Sequence, residues 1–184
     1  MRLLLLLFAV ALSAVEEGPC PVLKVIDGDT IEVQREGKAE RVRLLYVDTP
    51  ECSDNAHGTC MPEGKAASEM LRKTLPVGTE VTLWGPAAAL GRDRYDRLLA
   101  TVTVNASRQA WHPVELQSVA GSLIAQGHSV YWRKYGDAAE PLHSLLAKWQ
   151  EVSEQEKAGA WATAPEWMRD KANERTAPKV ERAP

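Results

Sequence analysis

The chain carries VIDGDTIEV at residues 25–33 and RVRLLYVDTPE at residues 41–51, and these two segments decide its fold. Apolar and β-branched runs predict strands over residues 22–26 and 31–34, separated by turn-forming residues 27–29. Residues 41–45 begin as a clean apolar and polar alternation, which indicates a strand with one face in a core and one toward solvent. The two segments therefore form neighbouring strands joined by a hairpin at Gly37.

Polar side chains stand at the ends of these runs, where a scaffold can hold them and water can still reach them. They are three acids and one cation: Asp29, Asp48, Glu51 and Arg43. Carboxylate oxygens are the ligands that calcium prefers, although they also accept magnesium or manganese. A guanidinium can form two parallel hydrogen bonds with a phosphate and stays charged. These residues predict a site for a metal ion and a phosphate.

The rest of the chain completes a barrel pattern. A proline start and apolar residues three and four apart predict a helix over residues 62–75, between the third strand and two further strands at 79–84 and 98–104. Five strands with a helix after the third is the order of an OB-fold barrel. Helices are also predicted over residues 114–126 and 142–156. The predicted fold class is α+β dominated by β-structure: a five-stranded OB barrel with about three packed helices.

The two ends of the chain have distinct compositions. Residues 1–14 combine one basic residue, an apolar run and small residues, the layout of a secretory signal peptide, and the run is too short for a spanning helix. We therefore expect a secreted or periplasmic protein with no membrane span after cleavage, an uncleaved anchor being the alternative. Residues 20–162 form the predicted domain, and residues 163–184 are expected to be a flexible tail.

The formal net charge of −3 excludes a generic binder of polyanions that depends on a basic surface. Cys52 and Cys60 bracket a short polar loop directly after Glu51 and are the obvious disulfide pair in an oxidising compartment. Exchange with Cys20 is an open alternative. A zinc site from Cys52, His57 and Cys60 is another, but it lacks an evident fourth ligand.

Together with GRDRYDRLLATV at residues 91–102, the two opening segments resemble the staphylococcal nuclease family in order and approximate spacing. The resemblance covers residues 22–161. It implies a calcium-dependent enzyme that cleaves DNA and RNA and leaves 3′-phosphate ends, and we expect the protein to be a monomer. In this family pattern, calcium is held by Asp29, Asp48 and the backbone carbonyl of Thr49.

The same resemblance assigns the other site residues. Glu51 matches the general base, and Arg43 and Arg97 match two arginines that stabilise the charged phosphate. Arg94 and Tyr95 resemble residues of the nucleotide pocket, and Tyr131 and Trp132, with Tyr135, are candidates for base stacking. One departure stands beside Arg97, because Asp96 occupies a position where the family commonly has glycine.

Each residue also has a plain structural interpretation. Asp27 and Asp29 can be turn residues, residues 49–51 a simple loop, and Arg43 a solvated strand position. All of these structural interpretations would have to be correct at once, at positions that match the family pattern, so the functional site is favoured.

Two alternative functions stay open: a non-catalytic OB module that binds single-stranded nucleic acid or protein, and a structural scaffold. The combination of Arg43, Glu51 and Arg97 favours the enzyme, because a pure binder has no need of it.

Overall fold

The computed structural model describes residues 15–52, 60–85, 89–104 and 118–174. The strands in these ranges are β1 (Val15–Val25), β2 (Thr30–Arg35), β3 (Lys38–Leu44), β4 (Val47–Asp48), β5 (Glu80–Gly85), β6 (Gly91–Arg92), β7 (Leu98–Val104) and β8 (Val130–Tyr131). The helices are α1 (Pro62–Thr74), α2 (Val119–Ala125), α3 (Leu142–Gln155), α4 (Ala160–Thr163) and α5 (Pro165–Asn173).

Five of these strands close into a barrel, as the sequence predicted. Strands β3, β2, β1, β5 and β7 are hydrogen-bonded in that order, and a parallel pairing between β3 and β7 joins the two ends. The other four pairings are antiparallel. Strand β6 pairs with β7 outside the closed ring. The predicted fold class is confirmed, and β4 and β8 form a separate two-stranded sheet.

Strand β1 is longer than predicted. It begins at Val15, seven positions before the expected start, because its first half pairs with β5 and its second half with β2. The register shifts within both pairings. Such irregularities bend a strand and increase its twist, which lets one strand serve two neighbours in a small barrel.

The barrel interior is filled by the inward residues of the strands, with α1 and α2 packed against it. The resulting core contains fully buried aliphatic side chains from the strands and from both helices, namely Val22, Ile31, Val33, Val42, Leu44, Leu71, Leu83, Val102 and Leu123. Helix α3 packs on α2, where Gly121 is so close to Trp149 that a β-carbon would lie 2.2 Å from its ring. Burial of this continuous apolar cluster stabilises the barrel that carries the site.

A second, smaller core corrects the prediction of a flexible tail after residue 163. Residues 165–173 form α5, and Met168 on this helix is fully buried with Val130, Trp132, Ala160 and Trp161. The apolar contacts of Met168 and Trp167 hold the helix against the molecule. With α4, it raises the number of helices above the three predicted. Residues 175–184 lie outside the described ranges.

Two other predictions concern residues that the structure does not describe. The signal peptide at residues 1–14 is one. The other is the start of the helix predicted over residues 114–126, because residues 105–117 lie outside the described ranges. Across the described ranges, no helix has the length and apolar character needed to cross a membrane.

Candidate functional site

Barrel closure brings the predicted site residues together. In the antiparallel pairing of β2 with β3, Arg43 stands opposite Thr30, and in the parallel pairing that closes the barrel it stands beside Leu99. Asp29 directly precedes β2, and Arg97 directly precedes β7. Residues more than fifty positions apart in sequence therefore meet at one end of β3.

Arg43 lies at the centre of this group and is only 4% exposed. Its Nη1 atom donates to the carbonyl oxygens of Leu44 at 2.9 Å and Val47 at 2.8 Å. Its Nη2 atom lies 2.6 Å from Oδ1 of Asp48 and 3.1 Å from Oδ2 of Asp29. One guanidinium group therefore holds the two predicted metal-binding carboxylates together.

Both carboxylates have further partners. The hydroxyl of Thr30 donates to Oδ1 of Asp29 at 3.1 Å, and the backbone N–H and hydroxyl of Thr49 approach its Oδ2 at 3.2 and 3.3 Å. The amide of Asp48 donates to the hydroxyl of Ser129. Burial raises the pKa of Asp48, with a further contribution from Asp29, while Arg43 and Lys171 act in the opposite direction.

Asp27 adds a third carboxylate next to this pair. Burial and the neighbouring charge of Asp29 raise its pKa to about 6, although its Oδ1 accepts a hydrogen bond from the Asp29 amide. A raised carboxyl pKa means that the ionised form is disfavoured where it stands. Burial is the larger of the two causes, so Asp27 is harder to ionise here than in water.

The second arginine of the prediction, Arg97, is oriented by Asp93. Nε and Nη2 of Arg97 lie 2.8 and 2.7 Å from Oδ2 of Asp93, and Nη1 donates to the hydroxyl of Thr30 at 3.2 Å. The Asp93 Oδ1 atom also accepts the backbone amides of Tyr95 and Arg97. Burial acts to raise the pKa of Asp93, but these hydrogen bonds outweigh it and lower the pKa. Asp93 is therefore an ionised support for Arg97.

The turn around Arg97 also places the other residues of this motif. Tyr95 is 63% exposed, and the guanidinium groups of Arg94 and Arg97 lie 4.7 and 5.5 Å from the centre of its ring. Asp96 has a φ of 63°, a left-handed conformation that aspartate adopts more readily than most residues. Its carboxylate lies 3.5 Å from Arg92. The turn that glycine commonly forms in the family is thus formed here by aspartate.

Glu51 lies at the edge of the site, on a segment that is held by a backbone hydrogen bond and by a disulfide. Its carbonyl oxygen accepts the Met61 amide at 3.0 Å. A disulfide joins Cys52 to Cys60, the pairing expected from the sequence, which leaves Cys20 free and buried. Because both sulfurs are in this bond, they cannot form the alternative zinc site. His57 of that alternative lies outside the described residues.

Gly64 on α1 sets the distance between this segment and the helix. A β-carbon at Gly64 would lie 2.3 Å from the carbonyl oxygen of Pro50 and 2.8 Å from that of Glu51. Backbone contacts this short tolerate no side chain. The first turn of α1 therefore fixes the position of the Glu51 backbone.

The opposite side of the site comes from the residues after β8 and from α5. Lys171 on α5 reaches Oδ2 of Asp48 at 3.0 Å and Oε2 of Glu174 at 3.1 Å. The Trp132 indole N–H donates to Glu174 at 3.3 Å. The guanidinium carbon of Arg43 lies over the Trp132 ring, 5.1 Å from its centre. Lys134 also pairs with Glu174, at 3.3 Å. Partial burial acts to lower the pKa of Lys171, but the contacts with Asp48 and Glu174 outweigh it and raise this pKa.

The structure corrects the expected position of Tyr131. This residue is 3% exposed and belongs to the main core, where its hydroxyl accepts the Ala138 amide and contacts Nδ1 of His143 at 2.8 Å. Its neighbour Trp132 faces the site instead, and Tyr135 packs edge-on against Trp132. Of the two adjacent aromatic residues that were candidates for base stacking, Trp132 therefore lines the cleft and Tyr131 does not.

These groups line one cleft of about 560 Å³. The cleft contains all the predicted residues except Tyr131 and Cys60, together with acids and cations that the prediction did not include: Asp27, Arg92, Asp93, Lys134 and Lys171. Asp93 could have been found from the spacing of GRDRYDR, because it precedes Arg97 by four residues. No motif or spacing connected Lys171 with the cleft, since it lies in the segment predicted to be a flexible tail.

The donor set fits a hard divalent cation. Oxygens of Asp29 and Asp48 both lie within about 3 Å of a single cationic atom, Arg43 Nη2, so they converge on one small region. In the described ranges, no group of three or more His, Cys, Asp and Glu side chains is arranged around a metal position. A bound ion would therefore use these two carboxylates with main-chain oxygen and water, ligands that suit calcium better than zinc.

Comparison with known proteins agrees with this arrangement. The family described as staphylococcal nuclease homologue matches residues 41–163. Protein ParB of Escherichia coli is 31% identical over 159 residues, which cover 84% of this chain and 81% of that protein. An uncharacterised endonuclease of Haemophilus influenzae is 32% identical over 165 residues, 86% of this chain and 75% of its own.

A thermonuclease of Staphylococcus intermedius is more similar over a shorter stretch. It is 43% identical over 81 residues, which cover 44% of this chain and 46% of that protein. The family match spans both sides of the cleft, from Arg41 on β3 to the end of α4 at Thr163. The chain therefore belongs to the staphylococcal nuclease family.

Proposed function

We propose that this protein is a nuclease that hydrolyses phosphodiester bonds in DNA and RNA with calcium as its cofactor. The observation that carries the proposal is the convergence of Arg43, Arg97, Glu51, Asp29 and Asp48 on one cleft. The family match and the relatives named as endonucleases or thermonucleases support the same activity. By resemblance to the family, cleavage breaks the bond to the 5′ oxygen and leaves a 3′-phosphate.

The roles follow from the chemistry of the groups. Asp29 and Asp48, with the carbonyl of Thr49, would hold the calcium ion, which when bound supplies positive charge to the phosphate and its attacking water. Glu51 lines the same cleft, three residues after Asp48, and is the group that would accept a proton from this water. Tyr95 and Tyr135, the exposed aromatic residues of the cleft, would form the contact surface for the nucleotide together with Arg94.

Arg43 and Arg97 bind the phosphate in this proposal. Both have a face toward the cleft, and both are held by carboxylates, so their positions are set before substrate arrives. A guanidinium that is already oriented stabilises the extra negative charge of a five-coordinate phosphorus without reorganisation. The net charge of −3 is consistent with attraction that is local to these residues.

We also propose that the protein acts outside the cytoplasm as a monomer. The leader-like layout of residues 1–14 and the disulfide between Cys52 and Cys60 support export, because disulfides persist in oxidising compartments.

The test is cleavage of heat-denatured DNA and of RNA by residues 15–184 produced under oxidising conditions. We expect cleavage with calcium, and strong loss of it with a chelator and in Glu51→Gln. Glu69→Gln is the matched control, because Glu69 is an exposed carboxylate of α1. End-group labelling of the products would identify the phosphate position.

One outcome would replace the proposal. If the folded protein binds DNA and leaves it intact under every condition, the chain is the non-catalytic OB module instead. Cleavage of DNA without RNA would narrow the substrate, and cleavage that persists in chelator would remove calcium from the proposal.

A further inference from the structure

Lys171 lies where a cation is expected. Asp48 is one of the two carboxylates that would hold calcium, and both of its oxygens have cationic partners within the chain: Arg43 at Oδ1, 2.6 Å away, and Lys171 at Oδ2, 3.0 Å away. Arg43 comes from the barrel. Lys171 comes from α5, beyond the residues matched by the family.

The position of Lys171 is defined by packing and not by the flexibility of its own side chain. Met168, three residues earlier, is fully buried in the small core, and the Lys171 ammonium lies 5.9 Å from the ring centres of Trp132 and Trp167. Its Nζ also contacts Glu174, which accepts the Trp132 indole N–H. The backbone of α5 therefore presents this ammonium group to Asp48.

The two partners of Lys171 give it a second stable position. Glu174 is partly exposed and contacts both Lys171 and Lys134. An ammonium on a four-carbon stem can leave Asp48 and keep its contact with Glu174 through a change of side-chain rotamer alone. Release from Asp48 then requires no movement of the helix.

We propose that Lys171 is a positioning residue that competes with the divalent cation for Asp48 and thereby sets the cation affinity of the cleft. This inference rests on the proposed function for the assignment of Asp48 as a ligand. In the free protein, Lys171 neutralises Asp48 and holds its carboxylate in the cleft. When the cation binds, the ammonium leaves Asp48 and keeps its contact with Glu174.

The first test is calorimetric titration of calcium into the full chain and its variants. Lys171→Met keeps the aliphatic stem against the tryptophans and removes the charge. We expect it to bind calcium about fivefold or more tightly than the wild type, as for a coupling between two cations at one carboxylate. Lys171→Arg, which keeps a cation there, should remain close to wild type. Lys171→Gln provides a second neutral variant if Lys171→Met does not fold.

Arg169→Met is the matched control. It makes the same change of charge on the same helix, but Arg169 is exposed and pairs with Glu154 at 3.4 Å, away from the cleft residues. Its calcium affinity should change by less than about twofold, because solvent and salt screen an exposed charge. Equal tightening in both variants would reduce the effect to net charge and overturn the proposal.

The second test follows Lys171 directly. Acetylation of lysines by a soluble reagent, mapped by mass spectrometry, should become faster at Lys171 when calcium is added, while Lys148, paired with Glu151 on the surface, should be unaffected. Unchanged affinity in the neutral variants, no measurable calcium binding, or unchanged labelling would each overturn the inference. These readouts do not use cleavage, so a protein that binds calcium in this way and cleaves no DNA would refute the proposed function alone.

Discussion

Arg43 donates from Nη2 to Oδ1 of Asp48 over 2.6 Å, in a contact whose two side chains are 5% and 13% exposed. A charge pair this buried is stabilising mainly because each partner would be costly to leave alone. The remaining hydrogen bonds of Arg43 go to the carbonyl oxygens of Leu44, at the end of its own strand, and Val47 on β4. The residue therefore has a structural role in addition to the proposed contact with phosphate.

Replacement of Arg43 should consequently affect stability and catalysis together. We expect Arg43→Ala to lower the free energy of unfolding by about 3 kcal/mol or more, because it leaves buried carboxylates without their partner. The cleavage rate should fall by roughly 10²-fold or more. Arg43→Lys should recover part of the stability and little of the rate, since an ammonium lacks the planar fork. Urea unfolding and initial rates measure both effects.

Arg41→Ala is the matched control for Arg43. It removes an arginine two positions earlier on the same strand, where the side chain is 64% exposed and 4.0 Å from Glu32. Stability and rate should stay close to wild type. An Arg43→Ala protein with the wild-type rate would refute the assigned role.

Asp93 should support catalysis through Arg97. Asp93→Asn keeps the shape of the side chain and removes the charge that receives Nε and Nη2 of Arg97. A hydrogen bond to a charged group contributes about 1.5 to 3 kcal/mol, so we expect kcat/KM to fall roughly tenfold or more. Asp96→Asn, on the same turn with an exposed carboxylate, should have a much smaller effect. Equal rates in the two variants would contradict the role of Asp93.

Gly64 offers a test of how α1 positions Glu51. Glycine to alanine inside a helix ordinarily stabilises it by about 1 kcal/mol. Here the new β-carbon would meet the carbonyl oxygens of Pro50 and Glu51. We therefore expect Gly64→Ala to lose stability instead, and to lower kcat about tenfold through displacement of Glu51. Lys65→Ala, exposed on the same helix, is the control, and a stabilised, fully active Gly64→Ala would show that the loop adjusts freely.

The pH dependence of stability should include a contribution from His128. Burial lowers its pKa in the folded protein below the ordinary value, so the unfolded chain binds the proton more readily. His128 makes no such contribution above about pH 7, where it is neutral in both the folded and the unfolded protein. As the pH drops below about 6.5, the unfolded chain binds the proton first and the stability of the fold decreases. The fall ends once pH is below the folded pKa.

This contribution can be isolated with His128→Gln. We expect the variant to lose less stability than the wild type between pH 7.5 and pH 5, with a difference in slope of at most about 1.4 kcal/mol per pH unit. Guanidinium unfolding at several pH values measures it. Parallel pH profiles for the two proteins would mean that His128 does not contribute.

The barrel and most of the cleft were predictable because their signals are local. Strand alternation around Arg43 and the turn residues at Asp29 and Asp48 lie within one hairpin and its exit, so sequence neighbours are also spatial neighbours. The position of Arg97 beside Thr30 depends on barrel closure. Sequence spacing alone does not predict this contact, and Arg97 was assigned to the site through the family pattern. The five-stranded barrel is confirmed.

The errors have physical reasons. Tyr131 and Trp132 are adjacent aromatic residues that were both candidates for base stacking, and their surroundings depend on tertiary packing. Tyr131 lies in the main core, whereas Trp132 belongs to the small core and also lines the cleft. Helix α5 is short and has one fully buried residue, Met168, so its periodicity is weak. Its proline start, Glu166 in the first turn and Lys171 in the last were usable signals.

The parallel pairing of β3 with β7 also determines when the protein can become active. The two strands are separated by more than fifty residues, and such long-range contacts form slowly because the intervening chain must first be brought together. Until they form, Arg43 and Arg97 are not neighbours. The recovery of cleavage during refolding would then time the closure of the barrel, and a partly folded chain would be inert toward nucleic acid.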